Sequence, residues 1–559
     1  MMPMRRKIAR RGNDCSLSAQ RMGGAGRGAV GPSGTLQLGA LWVLLFIFCA
    51  PPVFASEKFA VLQPDHFAHH VERFNTMEDE NATNYISNAR SWGWLQQEIP
   101  FFECPDREVE ELYYFRWWSF RKHLVKTPAG FIITEFLLPV HHADVFNAIS
   151  CAAGLQLAEG RWLHDPKYLD DYTKFWFHGP GGQPQKKYHS FSSWLAAAAC
   201  ERALVTGDQT LPKSLLRDFI ADYHWWEQTH QLTNGLFWQF DVRDGMEESI
   251  SGSRTNKNAR PTINSYMFAN ARAVAAIARL RGETRIAATF DAKAAQLKKL
   301  VTESLWNDDA KFFEVRRDNG KFSGAREEVG FIPWLFELPE AGDGLETAWA
   351  QFTDPQGFRA PAGITTAERR HPQFRSHGVG TCEWDGAVWP FATSQTLGAL
   401  ANVLRDYSSD SRSSSRGEGA AVVTAHDYFD AFLTYVHSQH ADGKPYLGEY
   451  LDEVSGDWIN GRGGRSRYYN HSTFADLLIT GVVGLRPRAD NTVEIYPLLP
   501  AGTWHWFCLD GVKYHGHMLT IIWDQDGSRY RHDQGLVVLA DGKEIARGSS
   551  LSRLTGKLP

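Results

Sequence analysis

Residues 262–280 read TINSYMFANARAVAAIARL, and Ile263, Met267, Val274, Ile277 and Leu280 recur there at three, four and seven. That spacing lays an apolar stripe along one face of an α-helix. Segments of the same character lie near 107–124, 142–158, 187–206, 212–230, 284–305, 391–405, 421–438 and 471–483, with weaker ones near 165–177, 326–337 and 344–352. About a dozen helices in succession, with no strands alternating between them, argue for a mainly α array and against a doubly wound sheet or a β/α barrel. Helical hairpins closed into a ring over residues 106–484 fit this pattern, whereas the irregular spacing disfavours a solenoid.

After Pro487 the pattern becomes short β-like runs: Val493–Tyr496, Leu519–Trp523, and Leu536–Leu539 followed by the turn pair Asp541-Gly542. A small C-terminal β-sandwich over 485–559 is expected. Residues 56–105 are expected to form an N-terminal extension packed on the helices, with Phe131–Leu138 as the strand-like run of the first part. The six serines between Ser408 and Ser415 read as a surface loop.

The first 55 residues carry Arg5, Arg6, Lys7, Arg10, Arg11, Arg21 and Arg27 against the single acid Asp14, then an uncharged run from Leu36 to Ala50. Pro51-Pro52 and the small-residue site Val53-Phe54-Ala55 follow, which is the pattern of a signal peptide cleaved after Ala55. A periplasmic or extracellular protein with no stable membrane association after cleavage is expected. The apolar run is short for a membrane span. Without the leader the formal charge moves from −5 to −11, which makes nucleic acid a poor partner. Cys104, Cys151, Cys200, Cys382 and Cys508 remain, with no C-x-x-C pair among them, so neither a disulfide framework, a metal site nor an organic cofactor is expected.

The chain has 20 Trp, 18 Tyr and 34 Phe, more ring surface than packing usually needs, and flat apolar rings suit carbohydrate. Three loops concentrate carboxylates, rings and glycines. The first is Asp244-Gly245-Met246-Glu247-Glu248-Ser249-Ile250-Ser251-Gly252-Ser253-Arg254, preceded by Phe237-Trp238-Gln239. The second runs from Cys382 through Glu383-Trp384-Asp385-Gly386-Ala387-Val388-Trp389 to Pro390, and the third from Tyr446 through Glu449 to Gly456. Hydrolysis of a glycosidic bond needs one protonated carboxyl to release the leaving oxygen and one ionised carboxyl to activate water or attack. Loops of this kind supply both.

At these residues the sequence resembles the six-hairpin, (α/α)6 toroid glycosidases that include processing α-glucosidase, trehalase and mannosylglycerate hydrolase. Gly245-Met246 aligns with the Gly-Met of a motif like E-S-G-M-D-x-S-P-R, which puts Glu247 in the place of the general acid. Glu stands where Asp is usual, and Arg254 is displaced from the motif's arginine. Counting back seven residues from Gly456 in a segment like E-x-Y-x-P-x-T-G puts Glu449 in the place of the base. Asp385–Trp389 resembles W-x-G-P-[IV]-W, which lines the sugar pocket, with Ala387 where Pro is usual. The resemblance implies an inverting glycosidase acting on an α-linked oligosaccharide or glycoside, with Trp238, Arg254, Trp384, Asp385, Trp389, Asn470 and His471 contacting substrate. Pro105–Arg107, Tyr114–Trp118 and Gly160–Leu163 suggest further lining from early hairpins.

Other roles compete. Asp244 and Glu248 rival Glu247, and Asp452 and Glu453 rival Glu449. Glu247 also reads as a helix N-terminal acid, Trp384 and Trp389 as core, and Asn470 as an N-cap opening a helix beside an exposed His471. Tyr468, Tyr469 and His471 keep a polysaccharide lyase on the same toroid in view, alongside a sugar phosphorylase and a silent carbohydrate-binding protein.

Overall fold

The computed structural model describes residues 58–377, 382–407, 422–460 and 464–559. The leader and the serine-rich loop lie outside the described residues. Helices dominate from Arg107 to Val483 and strands from Leu485 onward, so the chain is mainly helical with a C-terminal sheet region.

The deciding stretch forms one helix, Pro261–Leu280, with Pro261 in the first turn, where a missing N–H costs nothing. It is buried nearly all round rather than along one stripe, while Leu280, expected at the end of that stripe, is 46% exposed. Its polar members are satisfied locally: Asn264 donates to the carbonyl of Phe237 at 2.8 Å and Asn270 to that of Ser193 at 3.0 Å. The following helix, Thr284–Leu305, is amphipathic and buries Ala287, Phe290, Ala294, Leu297, Val301 and Leu305. One enclosed helix and one half-exposed partner make up this hairpin.

The enclosed helices pack in order. Ala153–Gly160 packs on Leu195–Thr206, which packs on Pro261–Leu280; next come Ile332–Leu335, Pro390–Asn402 and Ala475–Leu477, and the last returns to Ala153–Gly160. The seam between first and last is polar. Buried Glu159 accepts the backbone N–H groups of Phe474, Ala475 and Asp476, each at 3.0 Å. Arg161 and the Trp162 indole donate to Asp476, both at 2.8 Å. Arg116, from the buried helix Arg107–Phe120, donates to the Ser472 carbonyl at 2.6 Å and to Gln439 at 2.7 Å. Asp106 caps that helix through the N–H groups of Glu108 and Val109.

Two sheets close the chain. The larger orders Phe101–Glu103, Trp506–Tyr514, His517–Asp524, Gly535–Ala540 and Lys543–Gly548, and the smaller Leu485–Arg486, Thr492–Ile495 and Leu554–Lys557. The first strand of the larger sheet comes from the N-terminal extension. Asp510 also accepts the N–H groups of Ala60, Val61 and Leu62, so the extension is bound to the sheet as well as to the helices. Backbone N–H groups entering a buried region need acceptors, and a sheet edge with an adjacent carboxylate supplies them.

Glu159→Ala strands three backbone donors and leaves the buried Arg116 without its facing charge. It is expected to cost about 3 kcal/mol or more in denaturant unfolding. The exposed control Glu303→Ala is expected to change stability by less than about 0.5 kcal/mol.

Candidate active site

The first two loops lead into the enclosed helices Pro261–Leu280 and Pro390–Asn402, and the third pairs with the second. The first is held from below. The turn Asp241–Asp244 ends at Gly245, whose φ of 71° suits glycine, and a Cβ there would lie 2.4 Å from the Cys151 sulfur. Asp244 is buried, accepting from Arg260 at 2.6 Å and from Ser192 at 2.6 Å, so its carboxylate is committed to the scaffold. The buried arginine that ties down this loop is therefore Arg260; Arg254 is exposed. With Met246 buried against Arg260 and Thr262, the next side chain, Glu247, is half-buried. Burial pushes its carboxyl up to about 7; the like charges of Glu449 and Asp241 act in the same direction, while its own backbone N–H and Arg254 oppose it. Glu248, held at a positive φ of 66°, is within electrostatic reach of Cys382 and Tyr450.

The second and third loops are joined directly, because Val388 and Leu451 exchange two backbone hydrogen bonds of 3.0 Å. Glu449 is buried and accepts at Oε2 from Asn460 and Ser466, both at 2.7 Å, leaving Oε1 free of either bond. Burial raises its pKa, opposed by the Ser466 hydrogen bond and the Arg465 charge. Its rivals are otherwise engaged. Asp452 caps a turn through the N–H groups of Val454 and Ser455, and Glu453 pairs with Arg375 at 2.7 Å.

The rings form a column. Trp389 stacks on Trp384 at 4.5 Å and on Tyr450 at 4.6 Å, and all three are buried. Trp238 stacks on His230 at 4.6 Å with the Lys257 ammonium 4.9 Å over its ring. Asp385 is buried and accepts from the His377 backbone at 3.0 Å, with the His377 ring 2.9 Å away.

Asn470 and His471 depart from expectation. The helix begins at Ala475, so Asn470 is no N-cap; instead its N–H donates to the Glu135 carbonyl at 3.0 Å. His471 is buried rather than exposed, and burial lowers its pKa to about 3. Its Nε2 meets the Glu449 carbonyl at 3.1 Å, so a neutral imidazole positions the Glu449 backbone. Sequence reasoning missed Ser466, Asn460, Arg260 and above all Glu135, which is buried and feels the charges of both Glu449 and Glu247. The signal was present, since Glu135 is an acid interrupting the apolar run Phe131–Leu138.

The matches to known proteins fall on this constellation. Residues 145–472 match the mannosylglycerate hydrolase MGH1-like glycoside hydrolase domain. The chain belongs to this MGH1-like glycoside hydrolase family. Residues 485–547 of this MGH1-like protein match the C-terminal domain of glycosyl hydrolase family 65. A solved chain named sialidase is 49% identical with a TM-score of 0.86, over 89% of this chain and 45% of that one. The chain thus spans less than half of that relative's length. The GH78 family rhamnosidase of a Bacillus species shares 14% identity and a TM-score of 0.54, over 76% of this chain and 40% of that one. The GH63 mannosylglycerate hydrolase from Thermus thermophilus shares 14% identity and a TM-score of 0.48, over 66% of this chain and 99% of that one.

Read as a general acid with its carboxyl raised to about 7, Glu247 is expected to make kcat/KM fall tenfold per pH unit above that value as the proton is lost. Glu247→Gln is expected to lower kcat by at least about 100-fold with an unchanged melting temperature, measured on whichever glycoside the wild type accepts.

Proposed function

We propose that the protein is an inverting glycosidase built on an (α/α)6 toroid braced by a C-terminal β-sandwich, acting on an oligosaccharide or glycoside outside the cytoplasm. The observation that carries this reading is the unequal carboxyl pair. Glu449 has two hydrogen-bond donors and the Arg465 charge, so it ionises first, and its charge helps burial hold the proton on Glu247. Paired carboxyls pushed apart in this way suit an acid and a base. Glu247 protonates the departing oxygen while Glu449 takes a proton from water attacking the opposite face. The successive neighbours of the enclosed helices support the ring, and the basic leader with its apolar run supports export. Among the described residues no helix is long and apolar enough to cross a membrane.

A lyase would need Tyr468, Tyr469 or His471 as proton acceptor. Tyr468 is buried with its hydroxyl accepting from Arg467 at 3.0 Å, and burial raises its pKa. Burial pushes the Tyr469 phenol well up and leaves its hydroxyl bonded to Glu135, while His471 is engaged with the Glu449 backbone. These contacts favour the hydrolase.

The test is a panel of α- and β-linked nitrophenyl glycosides, with an α-sialoside included because of the name of the 49%-identical chain. Proton NMR of fresh product on an accepted glycoside is expected to show the inverted anomer, because a base acting through water replaces a covalent nucleophile. Retention at early times, or a glycosyl adduct on Glu449, rules out single displacement. Glu449→Gln is expected to abolish turnover.

A further inference from the structure

Glu135 lies among the groups around the carboxyl pair, yet no step of the hydrolysis uses it. Its side chain is enclosed, and the Tyr469 hydroxyl bonds to Oε1. The other oxygen, Oε2, is buried and has no hydrogen-bond partner among the described residues. An orphaned buried oxygen costs about 1–3 kcal/mol, and such an atom beside a ligand site is explained when the ligand completes it. The backbone around it is firmly set. The Glu135 carbonyl accepts from the Asn470 N–H, and Gln156, itself bonded by Tyr172, donates to the Asn470 carbonyl at 2.9 Å. The charged groups that face Glu135 are Glu449, Glu247 and Arg465. Burial, with those two carboxylates, pushes Glu135 up to about 8, so the group is mostly protonated near neutrality. A carboxylic acid then presents an O–H without an acceptor among the described residues.

We infer that Glu135 is a third substrate-contacting carboxyl, whose Oε2 holds one hydroxyl group of the sugar bound between Glu247 and Glu449 while Tyr469 fixes its orientation. The inference rests on the glycosidase reading and deepens it: the released sugar must carry a hydroxyl at one particular ring position. A site built to hydrogen-bond a hydroxyl strongly rejects the analogue lacking it, because its own polar group is left unpaired. The residue thus selects the sugar, separately from the acid and base steps.

The test uses a glycoside that the wild type accepts, together with its set of monodeoxy analogues. Wild type is expected to prefer the parent over one analogue by about 100-fold in kcat/KM. Glu135→Met, which keeps the volume and removes both oxygens, is expected to shrink that preference below about fivefold at this position and leave the other positions unchanged. Glu135→Gln, which keeps a donor, is expected to retain most of it. The preference is a ratio measured on one preparation, so a partly unfolded variant does not distort it. An unchanged preference at every position in Glu135→Met overturns the inference. Where Glu135→Met is too slow to assay, or the wild type turns over no glycoside and the hydrolase reading fails on its own, calorimetric titration decides. The probes are D-glucose, D-mannose, D-galactose, L-rhamnose and L-arabinose. A sugar that binds the wild type and binds Glu135→Met at least tenfold more weakly supports the contact; equal binding, or no binding by the wild type, overturns it.

Discussion

The carboxylate of Glu159 receiving three backbone N–H groups at the start of the last enclosed helix is the contact on which the rest of the protein turns. Glu159 ends the first enclosed helix and the donors open the last, so the contact joins segments about 315 residues apart in the chain. Burial raises the Glu159 pKa, and Arg116 with the three donors opposes that rise. An enclosed acid is tolerable when donors and a positive charge surround it, as these three N–H groups and Arg116 do here. Arg116 extends the constraint by fixing Ser472 and Gln439.

What this seam positions is the segment 466–473. Ser466 bonds the Glu449 carboxylate, Tyr469 bonds Glu135, Asn470 holds the backbone of Thr134 and Glu135, and His471 holds the backbone of Glu449. One stretch of irregular chain therefore orients two of the three acids that face one another, and its own anchor lies at the helix start beyond it. The hydrogen bonds that orient these acids adjoin, along the chain, those that join the first and last enclosed helices.

The three acids differ through their surroundings rather than their chemistry. Glu449 has hydroxyl and amide donors and a nearby cation, Glu247 has burial and like charges, and Glu135 has burial with the Tyr469 phenol on one oxygen. Three carboxyls within electrostatic reach cannot all ionise cheaply, so each proton lost raises the cost of the next. The aromatic excess finds a related use. Much of it lies in buried stacks such as Trp384, Trp389 and Tyr450, which brace the second and third loops against each other where the Val388 and Leu451 backbones also pair.

The sequence by itself determined the helical character of the block from Arg107 to Val483, because apolar spacing at three and four is a local property of each segment. The boundaries of Thr284–Leu305 match expectation, since its stripe is clean and one face is solvent. It also marked the strand-rich tail and the glycine turn before Glu247, and offered the acids at 247 and 449 as candidates. Tertiary structure alone decided which helices are enclosed, why Pro261–Leu280 is buried over most of its surface, and that Phe101–Glu103 joins a sheet built from residues beyond 505. It also decided that Asp244, Asp452 and Glu453 are occupied by partners, that His471 is buried and neutral, and that Glu135 stands beside the pair. The physical reason is the same in each case. Periodicity and turn chemistry act over a few residues, whereas the charge state and availability of a carboxyl depend on donors and charges that the fold brings from hundreds of residues away.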